Sequence, residues 1–213
     1  MSHPALYGLV QSVYTRIARL VFEEKSIAYE LVEVDIFTDE GVPPYYLELH
    51  PFGRIPCLVD SDFVLYETSA ITRYIDDAYP GRSLQPKDVA LRAKMNQVVS
   101  MLNSYTYRPM IWDVFVERIV KPLENEASNE KMISQALPVI ETGLQELSNS
   151  LQERQFLVSD NLTLADLHAA PMLSYFSQTP EGSRMMSKFP VLPEWMDRMH
   201  KRDSFKRTRS IYD

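Results

Sequence analysis

The sequence predicts an α/β domain followed by an all-helical one, and three observations carry that prediction. Through the first part of the chain the patterns run strand, helix, strand, then two short strands and a helix. From about residue 88 onward the strand-like alternation stops and apolar residues recur at helical spacing. Charge divides at the same place: the first 86 residues hold six basic and thirteen acidic residues, the remainder sixteen of each. The change falls in Tyr79-Pro80-Gly81-Arg82-Ser83-Leu84-Gln85-Pro86, where two prolines and a glycine punctuate the chain. The domains so implied are residues 1–80 and 88–213, joined by a linker at 81–87.

Each element has its own reason. Ala5-Leu6-Tyr7-Gly8 reads as a short strand, and Val13, Ile17, Leu20 and Val21 form the stripe of a helix reaching about Lys25. Residues 28–36 are rich in β-branched and aromatic side chains, as a second strand requires. The stretch after them carries no clear pattern. Cys57-Leu58-Val59 and Phe63-Val64-Leu65-Tyr66 read as the strands of a hairpin turned by Asp60-Ser61-Asp62. Ile71, Tyr74, Ile75 and Ala78 then repeat at i, i+3, i+4, i+7, an amphipathic helix. Such an order makes a small mixed sheet with helices on its faces. In the second half, Met95, Val98, Val99 and Leu102 mark one helix. Ile133, Leu137, Ile140, Leu144, Leu147 and Leu151 mark another, in which Pro138 is expected to kink the axis. Thr163 and Asp166 have capping-box spacing, with Leu162 and Leu167 as the hydrophobic staple, so Asp166 reads as a capping residue.

Composition removes several function classes. The chain has 213 residues, 45% hydrophobic and 24% charged, an ordinary globular balance. A net charge of −7 argues against a nucleic-acid coat, which needs a positive field. The single cysteine, Cys57, excludes an intrachain disulfide. Six glycines lie too far apart for a GxGxxG or Walker loop, and four histidines never reach metal-ligand spacing. No apolar run approaches the ~20 residues of a membrane span, and no basic segment leads into an apolar run at the N-terminus. The expectation is a soluble, cytoplasmic protein without metal, membrane or nucleic-acid partners.

Pro56 interrupts an otherwise strand-like run, Phe52-Gly53-Arg54-Ile55-Pro56-Cys57-Leu58-Val59. A proline suits that place at an edge or in a cis turn. A cis bond would turn the N–H and C=O of Ile55 outward, open to an extended peptide. Four segments taken together then resemble the cytosolic glutathione transferases, and within them the serine-type, phi-like members. The segments are Ser12-Val13-Tyr14-Thr15-Arg16, His50-Pro51-Phe52-Gly53-Arg54-Ile55-Pro56, Glu67-Thr68-Ser69-Ala70-Ile71 and Leu162-Thr163-Leu164-Ala165-Asp166-Leu167-His168. They stand in order across nearly the whole chain. The resemblance implies a thioredoxin-like N-terminal βαβ-ββα domain, a C-terminal helical bundle, reduced glutathione as co-substrate, and a homodimer.

Ser12 is the residue the resemblance pairs with the glutathione sulfur, and its position equally suits a plain helix cap. A free thiol has a pKa near ~8.5, and only its thiolate is nucleophilic. A hydroxyl donor and the positive end of a helix both favour that anion. Tyr14 is the rival hydroxyl, and Arg16 is expected in a surface ion pair. The resemblance gives Glu67 the γ-glutamyl ammonium, Thr68 the γ-glutamyl carboxylate, and the Ile55 backbone, ahead of Pro56, the cysteinyl unit. Arg54 stands where the phi-like pattern often has glutamine, and could pair with a glutathione carboxylate. One segment departs from the pattern: Asp39-Glu40-Gly41-Val42-Pro43-Pro44 has two acids and no base where basic residues usually hold the glycyl carboxylate.

The second substrate, a hydrophobic electrophile, would lie between the domains against Tyr105, Tyr107, Trp112 and Phe115, residues whose spacing fits a core equally well. Phe52 could project into a partner subunit. Residues 198–209, with six basic and one acidic residue, read as a solvated helix end. The expected function is transfer of the glutathione thiolate to electrophilic small molecules. A non-catalytic binding or regulatory protein on the same scaffold, suggested by residues 39–44, is the alternative from another class. A glutathione-dependent peroxidase would use the same thiolate.

Overall fold

In a computed structural model, which describes residues 3–212, β1 (Ala5–Gly8) is followed by α1 (Val13–Glu24) and β2 (Glu30–Glu33). Then come α2 (Pro44–Leu49), β3 (Cys57–Asp60), β4 (Phe63–Tyr66) and α3 (Thr68–Ala78). The strands form one sheet in the order β2-β1-β3-β4. β1 and β2 are parallel, the pairing that needs a crossover, and α1 supplies it. β3 runs antiparallel to both β1 and β4, and the β3–β4 hairpin turns on Ser61, which takes the left-handed backbone that two-residue hairpins favour. Ile17, Ala18 and Val21 of α1 and Ile71 and Ile75 of α3 are fully buried. This mixed four-stranded sheet, with its crossover helix and its closing hairpin and helix, is thioredoxin-like.

Two sequence expectations change here. The second strand is shorter than residues 28–36, and the patternless stretch contains α2, which opens on Pro43 and Pro44 without a side-chain cap. Proline at the first helical position has the right φ and lacks only an N–H that would be unpaired anyway.

The described residues divide into two compact units: one runs to Leu84 and resumes at Asp203, the other is Gln85–Arg202. In the second, α4 (Val89–Met101) starts at Asp88, whose carboxylate accepts the Leu91 N–H at 2.9 Å. Its continuation, Leu102–Thr106 and Arg108–Val120, is wound as π-helix, with Lys121 N–H reaching the Val116 carbonyl. The unit then holds α5 (Lys121–Leu123), α6 (Glu130–Leu151), α7 (Leu164–Phe176), α8 (Pro180–Met186) and α9 (Val191–His200). Pro138 lies inside α6, and α7 is buried along its whole length.

The capping box at Thr163 and Asp166 is present, and Asp166 does more than cap. One carboxylate oxygen accepts the Thr163 N–H and hydroxyl, both at 2.9 Å. The other accepts the Leu157 N–H at 2.8 Å and the Trp195 indole N–H at 3.0 Å. Burial pushes this carboxyl's pKa up, and the four donors pull against it.

The last helix, α10 (Asp203–Arg207), belongs to the first unit, although the sequence reading put it with the helical half. Residues 198–209 are therefore not simply a solvated end: Ser204, Phe205 and Thr208 are buried. Arg16, expected in a surface ion pair, is fully buried because its guanidinium donates to the Phe205 carbonyl at 3.4 Å. Arg19 donates to the Arg207 and Thr208 carbonyls at 3.3 and 3.5 Å, and Arg207 pairs with Glu23 at 2.6 Å. Cations at the end of α10 thus satisfy carbonyls that the helix leaves open. At the C-cap of α1, Lys25 meets Asp76 at 3.1 Å, both side chains buried, and the same Asp76 oxygen accepts the Leu84 N–H at 2.9 Å. Among the described residues no helix is long and apolar enough to cross a membrane.

Candidate active site

Strand register gathers the site. Tyr7 pairs with Cys57, and Cys57 with Tyr66, so the end of β1, the start of β3 and the end of β4 share one end of the sheet. Three connections leave from it: residues 9–12 toward α1, residues 54–56 into β3, and residues 67–68 into α3. Ser12, Arg54, Ile55, Pro56, Glu67 and Thr68 all lie on these connections.

Ser12 closes its turn by donating its N–H to the Leu9 carbonyl at 3.1 Å. It is the N-cap of α1, and its hydroxyl oxygen accepts the Thr15 N–H at 3.2 Å. That leaves the hydroxyl proton to donate outward, at the positive end of the helix. Gly8 makes the close return of α1 possible, because a Cβ there would stand 2.3 Å from the Thr15 hydroxyl. Tyr14 lies within α1 rather than at its cap.

The Ile55–Pro56 bond is cis, and the β3 ladder begins only at Cys57, so Ile55 stands outside it. Ile55 packs with Leu9, Val34, Tyr46 and Cys57. The Tyr46 hydroxyl donates to the Arg54 carbonyl at 2.6 Å and pins this connection from beneath. Burial raises the Tyr46 phenol well above its usual pKa. It also pushes the Cys57 thiol up to about 11, so that cysteine is no nucleophile at neutral pH. The Arg54 side chain is exposed.

Glu67 has φ 70° and ψ 110°, a left-handed conformation rare for a residue with a side chain. Its carbonyl accepts the N–H groups of Ala70 and Ile71, both at 2.9 Å. The N–H groups of Thr68 and Ser69 open the helix and have no acceptor within it. Strained backbone of this kind persists where the surrounding structure fixes it, commonly at ligand sites.

His50 is a residue the sequence reading left without a role. It is 2% exposed, its ring centre 4.7 Å from that of Tyr66 and 6.3 Å from those of Tyr46 and Phe52. Only its place at the head of the Phe52–Pro56 motif could have drawn notice. Burial lowers the imidazole pKa, Glu67 opposes that shift, and Arg54 adds to it. Asp39 and Glu40 are exposed. In the helical unit, Phe115 is a core residue stacked on Tyr175 at 4.8 Å, not part of an open surface. Tyr105, 65% exposed, borders an apolar groove of about 440 Å³ with Met101, Pro138, Val139 and Thr142. Among the described residues no group of His, Cys, Asp or Glu could hold a metal ion.

Residues 11–78 match the glutathione S-transferase N-terminal domain, and residues 90–203 the glutathione S-transferase C-terminal domain. The chain belongs to the glutathione S-transferase family. It is 30% identical over 202 residues to glutathione S-transferase F13 of Arabidopsis thaliana, covering 94% of this chain and 92% of that one. With the probable glutathione S-transferase GSTF1 of Oryza sativa subsp. japonica it shares 28% over 214 residues, 99% of this chain and 97% of the other. A solved glutathione S-transferase III in its apo form superposes with a TM-score of 0.86 at 29% identity, over 99% of this chain and 97% of that one. In this glutathione S-transferase, one end of the sheet thus offers a hydroxyl, an open backbone segment and helix-terminal amides. Those are donors suited to an extended, anionic ligand.

Proposed function

We propose that the protein is a glutathione transferase in which Ser12 stabilises the thiolate of reduced glutathione for attack on a hydrophobic electrophile. Family membership supports the transferase activity and glutathione as co-substrate. The observation that carries the role of Ser12 is its capping bond: Thr15 holds the hydroxyl oxygen, so the proton is left for the sulfur. Lowering the thiol pKa by ~2 units requires about 2.7 kcal/mol of preference for the anion. A charge-assisted hydrogen bond and the end of a helix can supply that together.

Around this centre, the Ile55 backbone next to Pro56 pairs with the cysteinyl unit. Thr68 and the first amides of α3 hold the γ-glutamyl carboxylate, Glu67 faces the ammonium, and Arg54 takes a carboxylate. The thiol proton passes to solvent. The sulfur lone pair forms the new C–S bond, while the leaving group departs with its electron pair or an activated double bond takes up a proton. We also propose a cytoplasmic homodimer. Phe52, 70% exposed, is held edge-on by His50 and Tyr66, and an apolar groove like that beside Tyr105 could receive it from a second copy.

The decisive experiment is ultraviolet thiolate absorbance of glutathione bound to the protein, titrated over pH in wild type and Ser12→Ala. The expected result is a thiolate signal well below the free thiol pKa that moves up in the variant. An unchanged titration would remove Ser12 from the mechanism and bring Tyr14 forward.

A further inference from the structure

His50 ends α2, where its N–H donates to the Tyr46 carbonyl at 2.8 Å and its own carbonyl accepts the Gly53 N–H at 2.9 Å. Gly53 has φ +59°, and a Cβ there would press within 3.0 Å of Val42, so the turn leading to Arg54 and Ile55 is tightly specified. The imidazole sits in an aromatic slot. Tyr66 lies against it at 4.7 Å, Tyr46 is tilted at 6.3 Å, and Phe52 meets it edge-on at 6.3 Å. Its Nδ1 is buried and has no hydrogen-bond partner.

A neutral imidazole is tolerated in such a slot, whereas a charged one loses its water and has only its own backbone beside it to favour the proton, which burial outweighs. The groups facing it come from every neighbouring element. Glu67, at the head of α3, favours protonation, and Arg54, in the loop, opposes it. Tyr46 of α2 and Tyr66 of β4 offer ring faces. Burial outweighs Glu67, so the ring takes up a proton only below the ordinary histidine range.

We infer that His50 is a positioning residue for the glutathione loop, and that its protonation releases that loop and sets the acid limit of glutathione binding. This rests on reading residues 54–56 and 67–68 as the glutathione site. A charged ring leaves the slot. Phe52 then loses one ring neighbour, the Gly53 turn slackens, and the Ile55 backbone is no longer presented. The folded state favours the neutral ring, so the arrangement is intact above the ordinary pKa of 6.5 and is lost as pH falls below it.

The test is isothermal titration of S-methylglutathione, which has no thiol to ionise, into the full chain between pH 7 and about pH 5.5, an interval in which its carboxyls do not change charge appreciably. Wild-type affinity should fall about two- to fivefold across it, because the lowered ring pKa is only partly crossed, while His50→Asn changes less than the smaller figure, the signature of one linked proton. His50→Gln is the second non-titrating variant should asparagine impair folding. A third measurement needs no variant: the NMR titration midpoint of the His50 ring should move down when glutathione saturates the protein, because linkage is reciprocal. Parallel pH curves for wild type and variants, or an unmoved midpoint, would overturn the inference while leaving the glutathione site standing. Absence of glutathione binding to wild type at pH 7 would overturn both.

Discussion

The guanidinium carbon of Arg16 lies 4.2 Å above the centre of the Phe205 ring, which joins the helix that starts at Ser12 to a residue near the end of the chain. Such a contact between desolvated groups contributes about 2 kcal/mol. Phe205→Ala also removes a buried ring, for which about 3–5 kcal/mol is typical. Denaturant unfolding at pH 7 should therefore show a loss in that range. A change under about 1 kcal/mol would mean that the ring does not support α1.

Tyr46 donates to the Arg54 carbonyl, in the connection proposed to bind glutathione. In Tyr46→Phe that carbonyl loses its donor, a cost of about 1–3 kcal/mol. The expected outcome is glutathione binding weakened about five- to tenfold, with turnover at saturating glutathione close to wild type. Steady-state kinetics separates the two. An equal fall in kcat and kcat/KM would place Tyr46 in the chemistry instead.

Thr68→Val keeps the side-chain shape at a buried position and removes one hydroxyl donor from the start of α3. A hydrogen bond to a carboxylate contributes about 1.5–3 kcal/mol, so the dissociation constant for glutathione should rise at least about tenfold. Calorimetry that finds it unchanged would take Thr68 out of the binding site.

Asp166→Ala leaves the N–H groups of Leu157, Thr163 and Trp195 and the Thr163 hydroxyl without their acceptor. Each buried donor so exposed costs about 1–3 kcal/mol. The variant should lose its cooperative thermal transition at ordinary growth temperatures, seen by circular dichroism. A melting curve within a few degrees of wild type would show that water replaces the carboxylate.

Local chemistry made much of this architecture legible in the sequence. The Thr163–Asp166 box, the turn at Ser61 and the stripe of α3 are each specified within a few residues, and each forms where its pattern lies. α2 is six residues long and enters on prolines, too short to show a period. The π-wound stretch after Met101 advances about 4.4 residues per turn, so a search for period 3.6 finds a helix but not its winding. Arg16 looked like a surface residue because the ring that buries it is 189 positions away. The site divides in the same manner. Ser12, Pro56 and Thr68 stand out by residue type and neighbours, whereas the Tyr7–Cys57–Tyr66 register that brings their connections together is a property of the sheet. In the sequence His50 shows only as the head of the Phe52–Pro56 motif, because its significance lies in the rings around it.

The first unit is assembled from two stretches with the whole helical unit between them in sequence, and this has a consequence for its birth. A ribosome delivers Arg16, Arg19 and Glu23 early, but Phe205 and Arg207 emerge only after every residue of the contiguous stretch Gln85–Arg202. Domains generally complete their contacts in order of emergence. In this protein the later-made helical unit can finish first, and α1, capped by Ser12, waits for Phe205 and Arg207 before it is locked. A chain cut after Arg202 would then keep every residue of the helical unit while leaving α1 without Phe205 and Arg207.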